Sequence, residues 1–320
     1  MSVSTRHRDE YSGPKPESGI TALWDEAFAW CCHQRRHHPP GADVWDLRFH
    51  WPARREALLA TVCAGQYRLR PVRLVGQGAQ RRAVWDAADA LVLKWVALRL
   101  SHILPVHPLC EHVRGHGGGR QSVRKMAQTL REDGWRFVCR TDIRGFYAHI
   151  RHGLLYRQLR RHVADPVLLD LLKQFLHYSV EWGGEFHTPR KGISRGCALS
   201  PLLAGFCLWG MDTYFEAQPG LRYVRYMDDF VILTRTRWRL RRAVKALSVF
   251  FARGGYERHP EKTFIGRISR GFDWMGIMFN VTGATGVAPR ALSNHRERSR
   301  RLYERGMRRG KKTALRLLSG

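Results

Sequence analysis

Residues 221–234 read LRYVRYMDDFVILT: two β-type runs, Leu221–Tyr226 and Phe230–Thr234, parted by Met227-Asp228-Asp229. Aromatic and β-branched residues fill both runs, so the stretch reads as a hairpin with two adjacent carboxylates at its tip. Like charges side by side repel, and a tight turn does not require two aspartates. The pair makes physical sense if a divalent cation neutralises it, because Mg²⁺ takes hard oxygen ligands and bridges carboxylates to substrate phosphates. An Asp-rich turn is the plain alternative for these four residues taken alone.

Outward from the hairpin, Trp135–Thr141 alternates apolar and polar residues and reads as a strand that delivers Asp142, 86 residues before Asp228 (228 − 142). A third carboxylate at a strand end converges on the hairpin if the two strands are sheet neighbours. Three carboxylates around two metal ions about 4 Å apart are what in-line phosphoryl transfer needs. Helical patterns cover 20–36, 52–64, 86–103, 120–131, 152–162 and 166–177, and residues 71–82 read as a strand, a glycine turn and a basic edge. Ser200-Pro201 opens a helix to about Phe215, with Ser as N-cap and Pro first in the helix. A basic helix over 236–252, whose arginines line a nucleic-acid duplex, precedes short strands at 263–268 and 273–280. The last 31 residues, Arg290–Gly320, hold eleven Lys and Arg against two Glu and read as a basic helix.

Composition narrows the partner. The 320 residues carry 55 Lys and Arg against 27 Asp and Glu, a net charge of +28 spread along the whole chain. Nucleic acid is the partner such a charge fits, because phosphate contacts release counterions. Apolar residues at 44% and aromatics at 11% exclude a disordered basic tail. No run approaches eighteen apolar residues, so a membrane-spanning helix is excluded. Met1–Glu10 has no apolar signal core, and the seven cysteines form no Cys-x-x-Cys pair, which together imply free thiols and a cytoplasmic setting. His107, Cys110, His112 and His116 fit no common zinc spacing.

Asp142-Ile143-x-x-Phe146-Tyr147, then Gly192-Ile193-x-x-Gly196 with Leu199-Ser200-Pro201-Leu202-Leu203, then Tyr226-Met227-Asp228-Asp229 resemble, in order and spacing, the bacterial reverse transcriptases. That group takes in group II intron-encoded, retron and phage-defence enzymes. Pro260-Glu261-Lys262-Thr263 resembles the family's motif D, and Phe272-Asp273-Trp274-Met275-Gly276 its primer-grip hairpin. Gly65-x-Tyr67 with Pro71 and Arg73 resembles the start of the fingers, so the likeness covers roughly residues 60–285.

The resemblance implies an α+β fold: a right-hand polymerase palm, an antiparallel sheet backed by helices, with fingers before Asp142 and a short helical thumb. It divides the chain into an N-terminal, mostly helical extension (1–59), fingers and palm (60–285) and a basic thumb-like helix (286–320). It implies a nucleotidyltransferase, an RNA-directed DNA polymerase that adds dNTPs to a primer 3′-hydroxyl with two Mg²⁺ ions, for which Mn²⁺ is a substitute. Asp142 and Asp228 would hold the metals with the Ile143 carbonyl, and Asp229 would sit beside them. Tyr147 matches the steric gate against a ribose 2′-hydroxyl. Gly192 and Gly196 permit close backbone approach to the nucleotide. Many relatives have Pro-Gln where this chain has Ser194-Arg195, so Arg195 would meet the nucleotide by charge. Lys262 corresponds to the general acid for pyrophosphate, Arg73, Arg81 and Arg82 to triphosphate contacts, and Trp274, Met275 and Gly276 to the primer grip. Expected partners are an RNA template and a DNA or RNA primer, with a dedicated non-coding RNA or a partner protein. The 44 residues after Gly276 (320 − 276) are too few for a further domain, which favours a retron-like or anti-phage defence enzyme over a mobile-intron protein. Two other classes fit the same residues: a non-catalytic RNA-binding scaffold on a polymerase fold, and a palm polymerase that is template-independent or makes RNA.

Overall fold

The alternating runs of the sequence become the strands that carry the carboxylates. The computed structural model describes residues 16–75, 82–113, 115–132 and 134–307. Among these the strands, in chain order, are β1 Val72–Val75, β2 Arg82–Val84, β3 Phe137–Asp142, β4 Val180–Trp182, β5 Glu185–His187, β6 Leu221–Tyr226, β7 Asp229–Thr234, β8 Phe264–Arg267, β9 Phe272–Trp274, β10 Ile277–Asn280 and β11 Gly283–Val287. The chain folds as two units, one comprising the described residues up to Leu104 with Ile150–Leu203, the other Pro105–His149 with those from Ala204 onward. The α+β class expected from the sequence is the class observed.

In the first unit the helix Ala87–Leu100 is apolar on nearly every side and buried, and it packs against Pro16–Gln34, with Trp24 and Trp95 edge to face at 5.9 Å. A small sheet runs β2-β1-β4-β5, with β1 and β4 parallel and the other neighbours antiparallel. Asp89, on the buried helix, accepts hydrogen bonds from the Tyr67 hydroxyl (2.6 Å) and the Arg70 N–H (3.0 Å), tying the segment before β1 to the core. Burial pushes its carboxyl up to about 6. A carboxyl raised in the folded state stabilises fully below its unfolded pKa, and that contribution is lost as pH rises through the folded one. Urea unfolding is therefore expected to show wild type losing up to about 3 kcal/mol from this group between pH 4 and pH 7. Asp89→Asn should flatten that slope.

In the second unit β6-β7-β3-β8 form a wholly antiparallel sheet, with Asp142 directly opposite Asp229 and Phe137 opposite both Thr234 and Arg267. Side chains alternate between the sheet's faces. Val138, Arg140 and Asp142 of β3 share the front face with Asp229, Val231 and Leu233 of β7. Met126 and Leu130 of the helix Gly118–Arg131, with Trp274 and Phe279, join Val138, Val231 and Leu233 in one buried cluster. On the reverse face the helix Arg237–Gly254 buries Leu240, Ala243, Leu247 and Phe251, and Phe251 meets Phe230 at 5.6 Å. A three-stranded sheet, β11-β10-β9, completes the unit.

Four elements differ from expectation. The single helix over 200–215 is two segments, Ser200–Cys207 and Trp209–Glu216, parted at Leu208; the Arg225 guanidinium takes the Gly205 carbonyl just before the break (3.1 Å). The strand over 273–280 is a hairpin, because Met275 and Gly276 both turn left-handed (φ 50° and 80°) between β9 and β10. Strand β11 and the helix Asp43–Phe49 were not foreseen. Arg81, the leader before residue 16 and the helical pattern beyond Met307 lie outside the described residues, as does the side chain of Arg82.

Candidate active site

The hairpin tip is a two-residue turn, Met227-Asp228, closed by the pairing of Tyr226 with Asp229. Met227 has φ 56°, a left-handed conformation that costs a non-glycine residue about 1 kcal/mol or more and persists only where surroundings enforce it. Three hydrogen bonds do so. Arg225 Nη1 donates to the Met227 carbonyl (2.8 Å), the Met227 N–H donates to His112 Nδ1 (3.1 Å), and the Ile143 N–H donates to the Asp228 carbonyl (3.1 Å). Beneath the turn Arg225 is wholly buried against Asp212: its Nε donates to Oδ1 at 2.8 Å and its Nη2 bonds Oδ2. The Tyr223 hydroxyl donates to the same carboxylate at 2.6 Å. Burial opposes the charge on Arg225, yet Asp212 more than offsets it and raises the guanidinium above its ordinary pKa. Burial likewise pushes the Tyr223 phenol far up, so it stays a donor.

The register across β3 and β7 brings the carboxylates together. Asp142 is almost fully buried and its Oδ2 accepts from Lys262 Nζ at 2.6 Å. Arg140, two residues earlier on the same face, sets Nη2 3.2 Å from both Asp229 Oδ1 and Asp273 Oδ2, while its Nη1 donates to the Lys262 carbonyl at 2.6 Å. Asp229 Oδ1 is buried and accepts no well-formed hydrogen bond. Burial pushes the Asp229 carboxyl up to about 6; Arg140 pulls it down, and the charges of Asp142 and then Asp228 push it up again. Three carboxylates, of Asp142, Asp228 and Asp229, thus act on one another here alongside the cations of Arg140 and Lys262.

The donor set, carboxylate oxygens, suits a hard divalent cation, and the repulsion that Asp142 and Asp228 exert on Asp229 is what such an ion relieves. Among the described residues, however, no three His, Cys, Asp or Glu side chains converge as the ligands of one ion. The ammonium of Lys262 and the guanidinium of Arg140 supply the positive charge instead.

Tyr147 follows in the same unit, half-buried on the short helix Phe146–His149, its ring edge-on to Phe146 at 5.9 Å. Trp274 of the grip hairpin is wholly buried and its Nε1 donates to Ser122 Oγ (2.7 Å), so it anchors the hairpin while Met275 and Gly276 form its tip. Arg73, Arg195 and Gly196 belong to the other unit. There Ile193 and Ser194 are buried, Ser194 Oγ accepting from Trp85 Nε1 (3.1 Å), which leaves Arg195 and Gly196 exposed on an anchored loop. Gly192 and Gly196 have φ of 91° and 84°, so the loop needs glycine at both. Arg73 pairs with Asp86 at 2.9 Å.

Five residues that shape the site were not foreseen: Arg140, Asp273, His112, Arg225 and Asp212. Period-two alternation along β3 would have found Arg140, since it places position 140 on the face of Asp142.

The reverse transcriptase (RNA-dependent DNA polymerase) family model matches residues 91–279. The COX1/OXI3 intron 1 protein of Saccharomyces cerevisiae is 21% identical over 163 residues, 48% of this chain and 19% of that protein. Protein YkfC of Escherichia coli is 23% identical over 132 residues, 31% of this chain and 35% of that one. The chain spans well under half the length of either relative. An apo telomerase structure from Candida tropicalis, truncated from the C-terminal domain, aligns at 14% identity with a TM-score of 0.49, covering 68% of this chain and 54% of that one, and nothing below rests on it. The family match takes in more than half of the chain, including Asp142, the 226–229 turn, Lys262 and the grip hairpin, and the chain belongs to the reverse transcriptase (RNA-dependent DNA polymerase) family.

Proposed function

We propose that the chain is an RNA-directed DNA polymerase that extends a primer 3′-hydroxyl with dNTPs along an RNA template. The observation that carries this reading is the register that sets Asp142 opposite Asp229 with Asp228 at the turn beside them. In this reading Asp142 and Asp228, with the Ile143 carbonyl, hold two Mg²⁺ ions, or Mn²⁺ in their place, and Asp229 sustains the negative field. Bound metal supplies Lewis acidity to the attacking hydroxyl and to the leaving pyrophosphate. Lys262 gives up its bond to Asp142 and offers its proton to the leaving group. Met275 and Gly276 steady the primer end over the Trp274 anchor. Arg73, Arg81, Arg82, Arg195 and Gly196 are the proposed nucleotide contacts.

Purified protein with Mg²⁺, an RNA template, a DNA primer and labelled dNTPs is expected to lengthen the primer. A gate at Tyr147 discriminates by steric clash with the 2′-hydroxyl. Tyr147→Ala is therefore expected to raise rNTP incorporation at least about tenfold relative to dNTP, roughly 1.4 kcal/mol of discrimination. Unchanged selectivity would remove the gate from the reading.

The Lys262–Asp142 ion pair and the absence of a three-ligand cluster among the described residues favour one other reading, a non-catalytic RNA-binding scaffold. Tight RNA binding without Mg²⁺-dependent incorporation would decide for it. The net charge of +28 supports a nucleic-acid partner, and we propose that this is a dedicated RNA, as template or partner, in a retron-like or defence setting in the cytoplasm. Sequencing the nucleic acid that co-purifies with the protein tests that finer proposal.

A further inference from the structure

The reverse face of the carboxylate-bearing sheet carries a basic cleft that the polymerase reading does not use. Helix Arg237–Gly254 lies on that face, and Arg237, Arg241 and Lys245 recur along its flank every four residues, about 6 Å apart in one row. Opposite them, across a cleft of about 770 Å³, stand β8, an edge strand that presents Ile265 and Arg267, and then Arg270. The cleft continues past Phe137 into a second hollow of about 380 Å³, where Arg136 and Arg235 join.

Phe137, Ile265 and Arg267 share the face of Cys139, so the cleft opens on the side of the sheet away from Asp142 and Asp229. Its Phe137 end also lies five residues from Asp142 along β3, about 17 Å. The cleft thus faces away from the carboxylates, and in the proposal below the arginines of this helix meet a strand other than the duplex that the sequence led us to expect along them.

The chemistry selects the occupant. No Asp or Glu lines either stretch, and none of the seven cations, five in the main cleft and two more in its extension, has an ion-pair partner among the described residues. Six of the seven are arginines, whose planar forks match phosphate oxygens. Two lie over aromatic rings, Arg235 over Trp135 at 5.5 Å and Arg267 over Phe137 at 5.9 Å, the guanidinium–aromatic platform on which unpaired bases stack. A row at helical-turn spacing beside such platforms fits one sugar–phosphate strand better than an acidic peptide, whose short carboxylates ask for no stacking surface.

We propose that this cleft is a second RNA-binding site, which holds the backbone of an RNA strand apart from the template–primer. The contrast with template–primer rests on the polymerase reading; the cleft itself does not.

The test uses the full chain in EDTA, with a fluorescein-labelled single-stranded 20-mer RNA followed by anisotropy over a salt series. Arg241→Glu/Lys245→Glu is expected to weaken RNA binding at least tenfold and to reduce the slope of log Kd against log salt by about 1.4, two contacts at 0.7 each. Primer extension at saturating template–primer should stay within twofold of wild type. Unchanged affinity and slope would overturn the proposal. A fall in extension that tracks the loss of binding would also overturn it, by placing the cleft in the duplex path. Displacement of the RNA by polyglutamate of equal charge at equal concentration would reassign it to an acidic protein segment. Should the reversal variant fail to fold by circular dichroism, Arg241→Gln/Lys245→Gln decides, with at least a threefold loss expected. Failure of the polymerase reading would appear as wild type that extends no primer, and would leave the binding difference intact.

Discussion

Asp142→Asn is expected to lower the rate of single-turnover primer extension at least about a thousandfold, some 4 kcal/mol of transition-state stabilisation. Asn keeps the volume of the side chain but removes its charge and turns one acceptor oxygen into an NH2 donor, so the result reports on the carboxylate itself. The strand should survive the change, because what fixes it is backbone: the ladder to β7 and β8, and the His259 N–H donating to the Asp142 carbonyl at 2.9 Å. Lys262 loses its 2.6 Å partner and becomes a solvated ammonium, a change worth little in stability for a side chain that already reaches water. Asp228→Ala should fail as completely, since its carboxylate stands at the tip that Ile143 holds. Asp273→Asn supplies the contrast: that carboxylate touches Arg140 at 3.2 Å and is not a proposed metal ligand, so a loss of about tenfold or less is expected. Extension retained by Asp142→Asn at near wild-type rate would sink the catalytic reading while leaving the fold untouched.

How far such a site can be read in advance depends on whether its signal is local. The 221–234 hairpin, the strand ending at Asp142 and the helix starting at Ser200 were legible because period-two alternation and a proline in the first helical turn are written into neighbouring residues. Ser200 is nevertheless itself inside the helix, and its hydroxyl donates to the Ser194 carbonyl (2.6 Å). Strand β11 was not, because Gly-Ala-Thr-Gly-Val has no alternation and little to bury; it becomes a strand by pairing with the open edge of β10. The break at Leu208 was hidden for the opposite reason. Residues 200–215 are mostly apolar with one charged residue, Asp212, and the group found at the break, Arg225, lies 20 residues beyond Gly205. Arg225 itself looked like one more arginine in a chain with 55 Lys and Arg. Only the fold shows that it is buried over Asp212, since a buried ion pair leaves no mark on either residue's local pattern.

That pair carries the second large effect. Arg225→Met leaves the Asp212 carboxylate wholly buried with only the Tyr223 hydroxyl to satisfy it, and urea unfolding is expected to show a loss of about 3–5 kcal/mol. Replacing both charges, Arg225→Met with Asp212→Leu, removes the uncompensated ion and should recover most of that stability, because desolvating two charges offsets much of what their attraction contributes. Catalysis should not recover with it. The guanidinium also donates to the Met227 carbonyl at 2.8 Å, and with that bond gone a left-handed Met227 keeps two of its three restraints. The double variant is therefore expected to be stable yet at least about tenfold slower in primer extension, since small misplacements of reacting groups are expensive in rate. A double variant that regains both stability and rate would show that Arg225 serves packing alone. One that regains neither would mean that the ion pair, and not its desolvation, dominates the energetics beneath the turn.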